Sequence, residues 1–498
     1  MDGILLGLTE VFQFWNLLAL FAGVSLGLIV GCLPGLNDNI TMAILVPLTF
    51  GLDPQIGILL LIGVYCSACF GGSFPAILLK IPGTASSVVT TFDGYPMVQK
   101  GEAGTALGIS TISSVFGGIV SALILLTLAP FLASQALKFG PAEYFSLVIL
   151  GLSTIIGMTK RELLLKSIIV TVIGLVIATV GMSPQTGYPR FSMGISNLTG
   201  GIPLIPLLIG LFGVSSVLEM SEELIKGTVR KKIQKVKRII PSRKLIRRLL
   251  PTMTTSSLLG SIIGVIPGAG MIMAIYLAYD QAMRMNKDKK EQFGKGIPEG
   301  VAAPEAANNA VVAGSMVPLV SLGVPGNSAS VIFLGGLMIH GLRPGPALFE
   351  DFPEIAYLLI VGFLVAYFFV FPLGILMAKF LVGMILRIPR SVLSGVVLLL
   401  CVTGAFAVRN NPFDVWVAIL FGVIGFAFGK LNLSYAPLVL AVVLGPLLEM
   451  NYQQSMVLSG GSLAIFFQKP LSLVFLIVAA FFVVTPFISR KKKVAPGG

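Results

Sequence analysis

Charge is scarce in this chain. Asp, Glu, Lys and Arg make up 11% of its 498 residues, against about 25% in soluble domains. That shortage excludes a water-soluble body. Histidine occurs once, as His340, with no obvious nucleophile partner in a G-x-S-x-G context. Beside Gly341 and Leu342 it reads as a packed, turn-stabilising side chain. There is no G-x-x-x-x-G-K-[ST]: Gly294-Lys295 and Gly429-Lys430 lack the flanking pattern, which argues against P-loop nucleotide chemistry. Of four cysteines, Cys32 and Cys401 stand alone. Cys66 and Cys69 form a C-x-x-C inside an apolar run, without a second pair or nearby histidine, so they read as small packing residues. The start, Met1 to Phe12, lacks the basic region and small-residue site of a cleavable signal. No enzyme chemistry, cofactor or soluble domain is expected.

What is present is apolar length. Hydrophobic residues make up 55%, mean hydropathy is +0.96, and apolar runs recur from end to end; one span needs ~20 residues. The fold class is an all-α integral membrane protein of about eleven to thirteen transmembrane helices and hairpins. A membrane barrel would alternate in short segments instead. The net charge of +13 does not point to nucleic acid. The basic residues sit in loops between apolar runs, above all Lys226 to Arg248, and at Arg490 to Lys493. That is the signal for the cytoplasmic side of a lipid bilayer.

The chain repeats itself. Phe74 to Ser87, FPAILLKIPGTASS, returns at Val317 to Ser330, VPLVSLGVPGNSAS. Pro75, Pro82, Gly83 and Ser87 fall on Pro318, Pro325, Gly326 and Ser330, at an offset of 243 (325 − 82). Earlier, GLIVGCLPGLNDN from Gly27 lies over GSIIGVIPGAGMI from Gly260, at an offset of 233 (267 − 34). Ten extra residues therefore separate the two breaks of the second half, with Arg284 to Glu305 the natural place for them. Two repeats follow, 1–225 and 250–498, joined by a basic cytoplasmic linker at 226–249. Thr252 to Tyr279 lies between two basic segments. It forms either two arms meeting at Pro267 or one kinked crossing.

A Pro-Gly break inside an apolar run frees backbone N–H and C=O groups, which must then line a protected polar cavity. Paired breaks in two halves point to a carrier's midplane site. Helices restarting there offer N–H groups to an anion. The candidate substrate contacts are Asn37, Asn39, Thr84, Ser86, Ser87, Asn308, Asn309, Asn327, Ser328 and Ser330, with Thr41 nearby. Freed carbonyls near Gly35, Gly83, Gly268 and Gly326, with Asp38, suit a small hard cation. Na⁺ is the candidate coupling ion and the sole metal expected. Lys80, deep in an apolar run, either snorkels to an interface or pairs with an anionic substrate or Asp38. A channel or passive pore for small anions is the alternative.

The runs GLIVGCLPG, AILLKIPGT, FDGYPM, FGPAEYF, GVIPGAG, EGVAAPEAANNA and MIHGLRPGPALF resemble the large membrane subunit of tripartite tricarboxylate transporters, the TctA family. The resemblance implies a secondary carrier in the bacterial inner membrane, importing a di- or tricarboxylate-like substrate on a Na⁺ or H⁺ gradient. It implies two partners, a small TctB-like membrane subunit and a TctC-like periplasmic solute-binding protein. It also implies inverted repeats moving as an elevator-like unit. Two places depart from the family's usual pattern. Leu36-Asn37-Asp38-Asn39 stands where Leu-Gly-Pro-Thr is common, and Lys80 stands where Asn is common.

Overall fold

Proline and glycine set the helix boundaries. In the computed structural model the described residues are 2–33, 35–157, 159, 161–183, 186–226, 239–268, 270–381 and 388–488. Half of the 226–249 linker, 227–238, lies outside them, as do the Arg490 to Lys493 tail, Pro34 and Ala269.

The first half runs α1 (Asp2–Val11), α2 (Phe14–Gly31), α3 (Asp38–Thr49), α4 (Pro54–Gly71), α5 (Ser73–Leu79), α6 (Thr90–Gln99), α7 (Ala103–Ala136), α8 (Pro141–Gly157), α9 (Leu164–Ala178), α10 (Leu204–Leu208) and α11 (Ser215–Lys226). The second runs α12 (Arg243–Val265), α13 (Gly270–Met285), α14 (Pro298–Leu322), α15 (Ser328–Ile339), α16 (Pro346–Asp351), α17 (Pro353–Leu376), α18 (Arg390–Ala407), α19 (Pro412–Lys430), α20 (Ala436–Leu458), α21 (Ile465–Gln468) and α22 (Pro470–Ile488). Asp53 starts α4 by accepting the Gln55 N–H, with Pro54 at the first helical position. Among the described residues seven helical stretches are long and apolar enough to cross a membrane, and six shorter apolar helices accompany them. Between α9 and α10 the chain makes a short antiparallel pair, with Gly181 opposite Arg190.

Two compact units emerge, and each draws on both sequence halves. One comprises Met1–Leu137 with Pro203–Ala427, the other Lys138–Ile202 with Phe428–Gly498. In the second unit, α8 and α9 pack on α20, and α8 also on α22. Ser146 and Ser472 hydroxyls meet at 2.7 Å, and Arg190 grips Glu449 through two hydrogen bonds.

In the first unit α4 and α14 form the centre. Every residue of α14 from Glu299 to Ser321 is buried. A helix apolar on all faces buries all of them. α2 packs along α4, and α12 along α14. Small residues make both approaches close. A Cβ on Gly27 would stand 2.7 Å from the Val64 carbonyl oxygen, and one on Gly260 2.5 Å from that of Ala307. Ala307 is the counterpart of Val64 at the offset of 243 (307 − 64). Thr255, within α12, meets Met285 at the end of α13 at 3.4 Å. α12 and α13 therefore run antiparallel, as two arms and not as one kinked crossing.

Candidate functional site

At the first break Gly35 takes φ +99°, a conformation that favours glycine. Its carbonyl accepts the Ser216 hydroxyl at 3.2 Å. Asn37 then caps α3, its Oδ1 accepting the Ile40 N–H at 2.9 Å. Asp38 is buried with its carboxylate against the Cys69 thiol of α4. The Thr41 hydroxyl bonds to the Asn37 carbonyl, and Asn39 Oδ1 is buried without a partner among the described residues.

At the second break a short turn replaces the helix start. Ser87 Oγ accepts the Thr84 N–H at 3.3 Å and donates to the Thr84 carbonyl at 2.8 Å; Ser86 meets Thr84 Oγ1 at 3.1 Å. Lys80 ends α5 in the left-handed conformation, at φ +59°, and is exposed. It forms no ion pair among the described residues, so the pairing with Asp38 is not found; the two differ in burial as well. Its counterpart, Gly323, ends α14 in the same conformation, at φ +73°. Lys80 thus fills a backbone position that Gly or Asn adopts at less cost.

The third and fourth breaks touch directly: Gly268 N–H donates to the Gly326 carbonyl at 2.8 Å. That carbonyl, a candidate cation ligand, already holds one donor. Asn327 and Ser330 form a reciprocal capping box at the start of α15, with Asn327 Oδ1 accepting Ser330 N–H at 2.9 Å and Ser330 Oγ accepting Asn327 N–H at 2.8 Å. Ser328 is the first residue of α15 and half-buried.

One stretch of α4 gathers these corners. Tyr65 reaches the Asn327 side chain at 2.9 Å and Ser315 at 2.9 Å. Cys69, one turn on, touches Asp38 and lies 3.7 Å from Met271 of α13. Its carbonyl takes a bond from Asn308 at 3.4 Å. Gly83 N–H donates to Gly72, the residue closing α4, at 3.1 Å. The Oδ1 atoms of Asn308 and Asn309 are buried without partners among the described residues. Such acceptors suit a cation or a donor-bearing group. No group of three or more His, Cys, Asp or Glu side chains gathers among the described residues.

Three residues at this centre were not picked from the sequence. Tyr65 lies inside an apolar run. Asp93, in FDGYPM, reads as part of a polar turn, yet it is fully buried in α6. It accepts N–H groups from Gly294, Gly296 and Ile297, and the Tyr279 hydroxyl, at 2.7–3.1 Å. Glu305, in α14, is fully buried and takes hydroxyl donors from Ser73, Thr90, Ser110 and Ser114. The signal for Glu305 was available: an ionisable residue inside an apolar span is functional by default. His340 closes α15, half-buried, with its ring 3.2 Å from the Thr49 hydroxyl, as a packed histidine would sit.

Comparison with known proteins agrees with this architecture. The model of the tripartite tricarboxylate transporter TctA family matches residues 17–440. A relative in Agrobacterium vitis, the uncharacterized 52.8 kDa protein in the TAR-I ttuC' 3' region, is 36% identical over 457 residues, covering 92% of this chain and 90% of its own. The uncharacterized protein in the TAR-II ttuC' 3' region of the same organism is 33% identical over 213 residues, 43% of this chain and 87% of its own. No solved structure matches. A helical membrane protein, matched over most of its length by one transporter family, is placed by that match: the chain belongs to the tripartite tricarboxylate transporter TctA family.

Proposed function

We propose that this chain is the carrier subunit of a secondary transporter that brings a di- or tricarboxylate-like substrate across the bacterial inner membrane. A Na⁺ or H⁺ gradient drives it. A periplasmic solute-binding protein delivers the substrate, and a small membrane subunit completes the complex. The observation that carries this reading is the gathering of four helix breaks around residues 65–72 of α4, with Gly268 bonded to Gly326.

The substrate carboxylate meets Asn37, Thr84, Ser86, Asn327 and Ser328, where helix starts present N–H groups. The cation sits on the acceptor side, near Asp38, the Gly35, Gly83 and Gly268 carbonyls, and the open amide oxygens of Asn308 and Asn309. The paired glycine contacts of α2 on α4 and α12 on α14 support a duplicated architecture, and the proposal takes the repeats as inverted and moving as an elevator.

The test is uptake of labelled di- and tricarboxylates by cells carrying all three components, with and without Na⁺ and a pH gradient. Accumulation against a gradient, lost on Asn327→Ala, is expected. Equilibration without accumulation would mark a passive pore, and unchanged uptake by Asn327→Ala would remove that residue from the site.

A further inference from the structure

Two buried carboxyl groups lie near each other in the chain's packing, and their surroundings differ in kind. Asp93 is held by three backbone N–H groups and a phenol. An N–H group can only donate, so this arrangement matches an acceptor-only side chain. Among the described residues the Glu305 carboxyl is held by four hydroxyls. Ser73 lies at 2.7 Å and Thr90 at 2.5 Å from Oε1; Ser110 lies at 2.9 Å and Ser114 at 3.0 Å from Oε2.

A hydroxyl both donates and accepts. Around a carboxylate all four donate. Around a carboxylic acid one turns to accept the acid proton, and its own hydrogen goes to a helix carbonyl one turn back. The cage therefore satisfies either protonation state without moving a backbone.

Among the described residues no cation shares the cage. α5 ends at Lys80, which is exposed. α6 brings Asp93, already engaged with Tyr279, and α7 carries no ionisable residue from Ala103 to Ala136. On α14 itself, Glu299 is bound to Arg248. The buried titratable side chains of α4 and α17, Tyr65, Cys66, Cys69 and Tyr367, include no cation. Burial and the four hydroxyl hydrogen bonds set the surroundings of Glu305. A bare carboxylate sealed in low dielectric is costly, and hydroxyl dipoles reduce that cost without cancelling the charge. The hydroxyl-to-carboxylate spacings are those of closed hydrogen bonds and leave no room for a metal ion between them.

We propose that Glu305, with Ser73, Thr90, Ser110 and Ser114, is a reversible proton-binding site. The proton adds to one carboxyl oxygen and leaves from the same atom; no other bond changes. This deepens the transport reading, and rests on it, only in assigning that proton to the driving gradient.

Two arms test it. The first needs no transport. Infrared difference spectra of the full chain in lipid vesicles are recorded over pH. A protonated-carboxyl band that titrates reversibly, and vanishes in Glu305→Gln, is expected. Ser110→Ala with Ser114→Ala shifts its midpoint by about tenfold or more in proton concentration, since each removes a hydrogen bond to a charged form. A spectrum identical in wild type and Glu305→Gln overturns the proposal. So does loss of the band on adding Na⁺ at constant pH, which would make the cage a metal site. The second arm measures the complete three-component system. Glu305→Gln keeps substrate exchange and loses pH-driven accumulation; retention of both would overturn the assignment to the gradient. Should wild type move no carboxylate at all, the transport reading fails while the infrared result stands. Should Glu305→Gln not fold, Glu305→Asp is read in its place, where an unshifted band overturns the proposal.

Discussion

Gly83 and Gly326 sit in the same kind of place. A Cβ on Gly83 would stand 2.7 Å from the Gly31 carbonyl oxygen and 2.7 Å from Gly72 Cα. One on Gly326 would stand 2.8 Å from the Gly264 carbonyl oxygen and 2.8 Å from Ser315 Cα. Gly264 and Ser315 are the counterparts of Gly31 and Gly72. The chemistry just beyond each glycine differs. After Gly83 comes a knot of hydroxyls, Thr84, Ser86 and Ser87; after Gly326 comes an amide, Asn327, that also reaches Tyr65. Packing is thus held in common while polar groups diverge, as expected if backbone approach makes the corner and side chains choose its ligand.

The comparison breaks most readily at the glycines. Gly83→Ala and Gly326→Ala each press a methyl into backbone that cannot retreat. We expect a loss of about 1–3 kcal/mol or more from each, read as a lower melting temperature of the purified protein, with Gly51→Ala unchanged because nothing lies within 4 Å of it. Equal melting of all three variants would mean the shared corners are not tight.

Asn327→Ala removes a cap and the Tyr65 contact together. About 1–2 kcal/mol is expected by chemical denaturation, and Thr84→Ala at the matching position costs less, because Ser87 still bonds its backbone. The reverse order would undo the distinction between the two corners.

Lys80→Gly relieves a left-handed lysine and should be neutral to stabilising by about 1 kcal/mol, whereas Gly323→Ala destabilises by about that amount. Opposite signs are the diagnostic; matching signs would separate Lys80 from Gly323.

The smallest effect concerns His340. Burial holds its imidazole below the usual histidine range, against a weaker opposing pull from Asp53. Its neutral form is therefore favoured in the fold. Stability from this source is present above about pH 6.5, the unfolded value, and declines as pH falls through the lower folded value. His340→Gln should flatten that decline in melting temperature.

Much of the centre could be read from residues. The breaks at Gly35, Gly83, Gly268 and Gly326 follow from backbone chemistry alone, and so does the capping by Asn37 and Asn327. What escaped was lateral. Nothing in the order of residues says that Tyr65 faces Asn327 across 262 positions of chain, or that hydroxyls from three helices surround Glu305. Of the two readings of Lys80, an exposed end and a buried pairing, the structure has the exposed one: the residue lies past the end of α5. The division into compact units was not legible either, since each unit joins stretches far apart in sequence.

The Asp93 contact has a mechanical consequence. One carboxyl from the first half of the chain holds the Gly294, Gly296 and Ile297 amides of the second, and among the described residues Tyr279 is the one side chain that joins them. The two sequence halves are riveted there. A motion that parted the two halves there would have to break four hydrogen bonds at once.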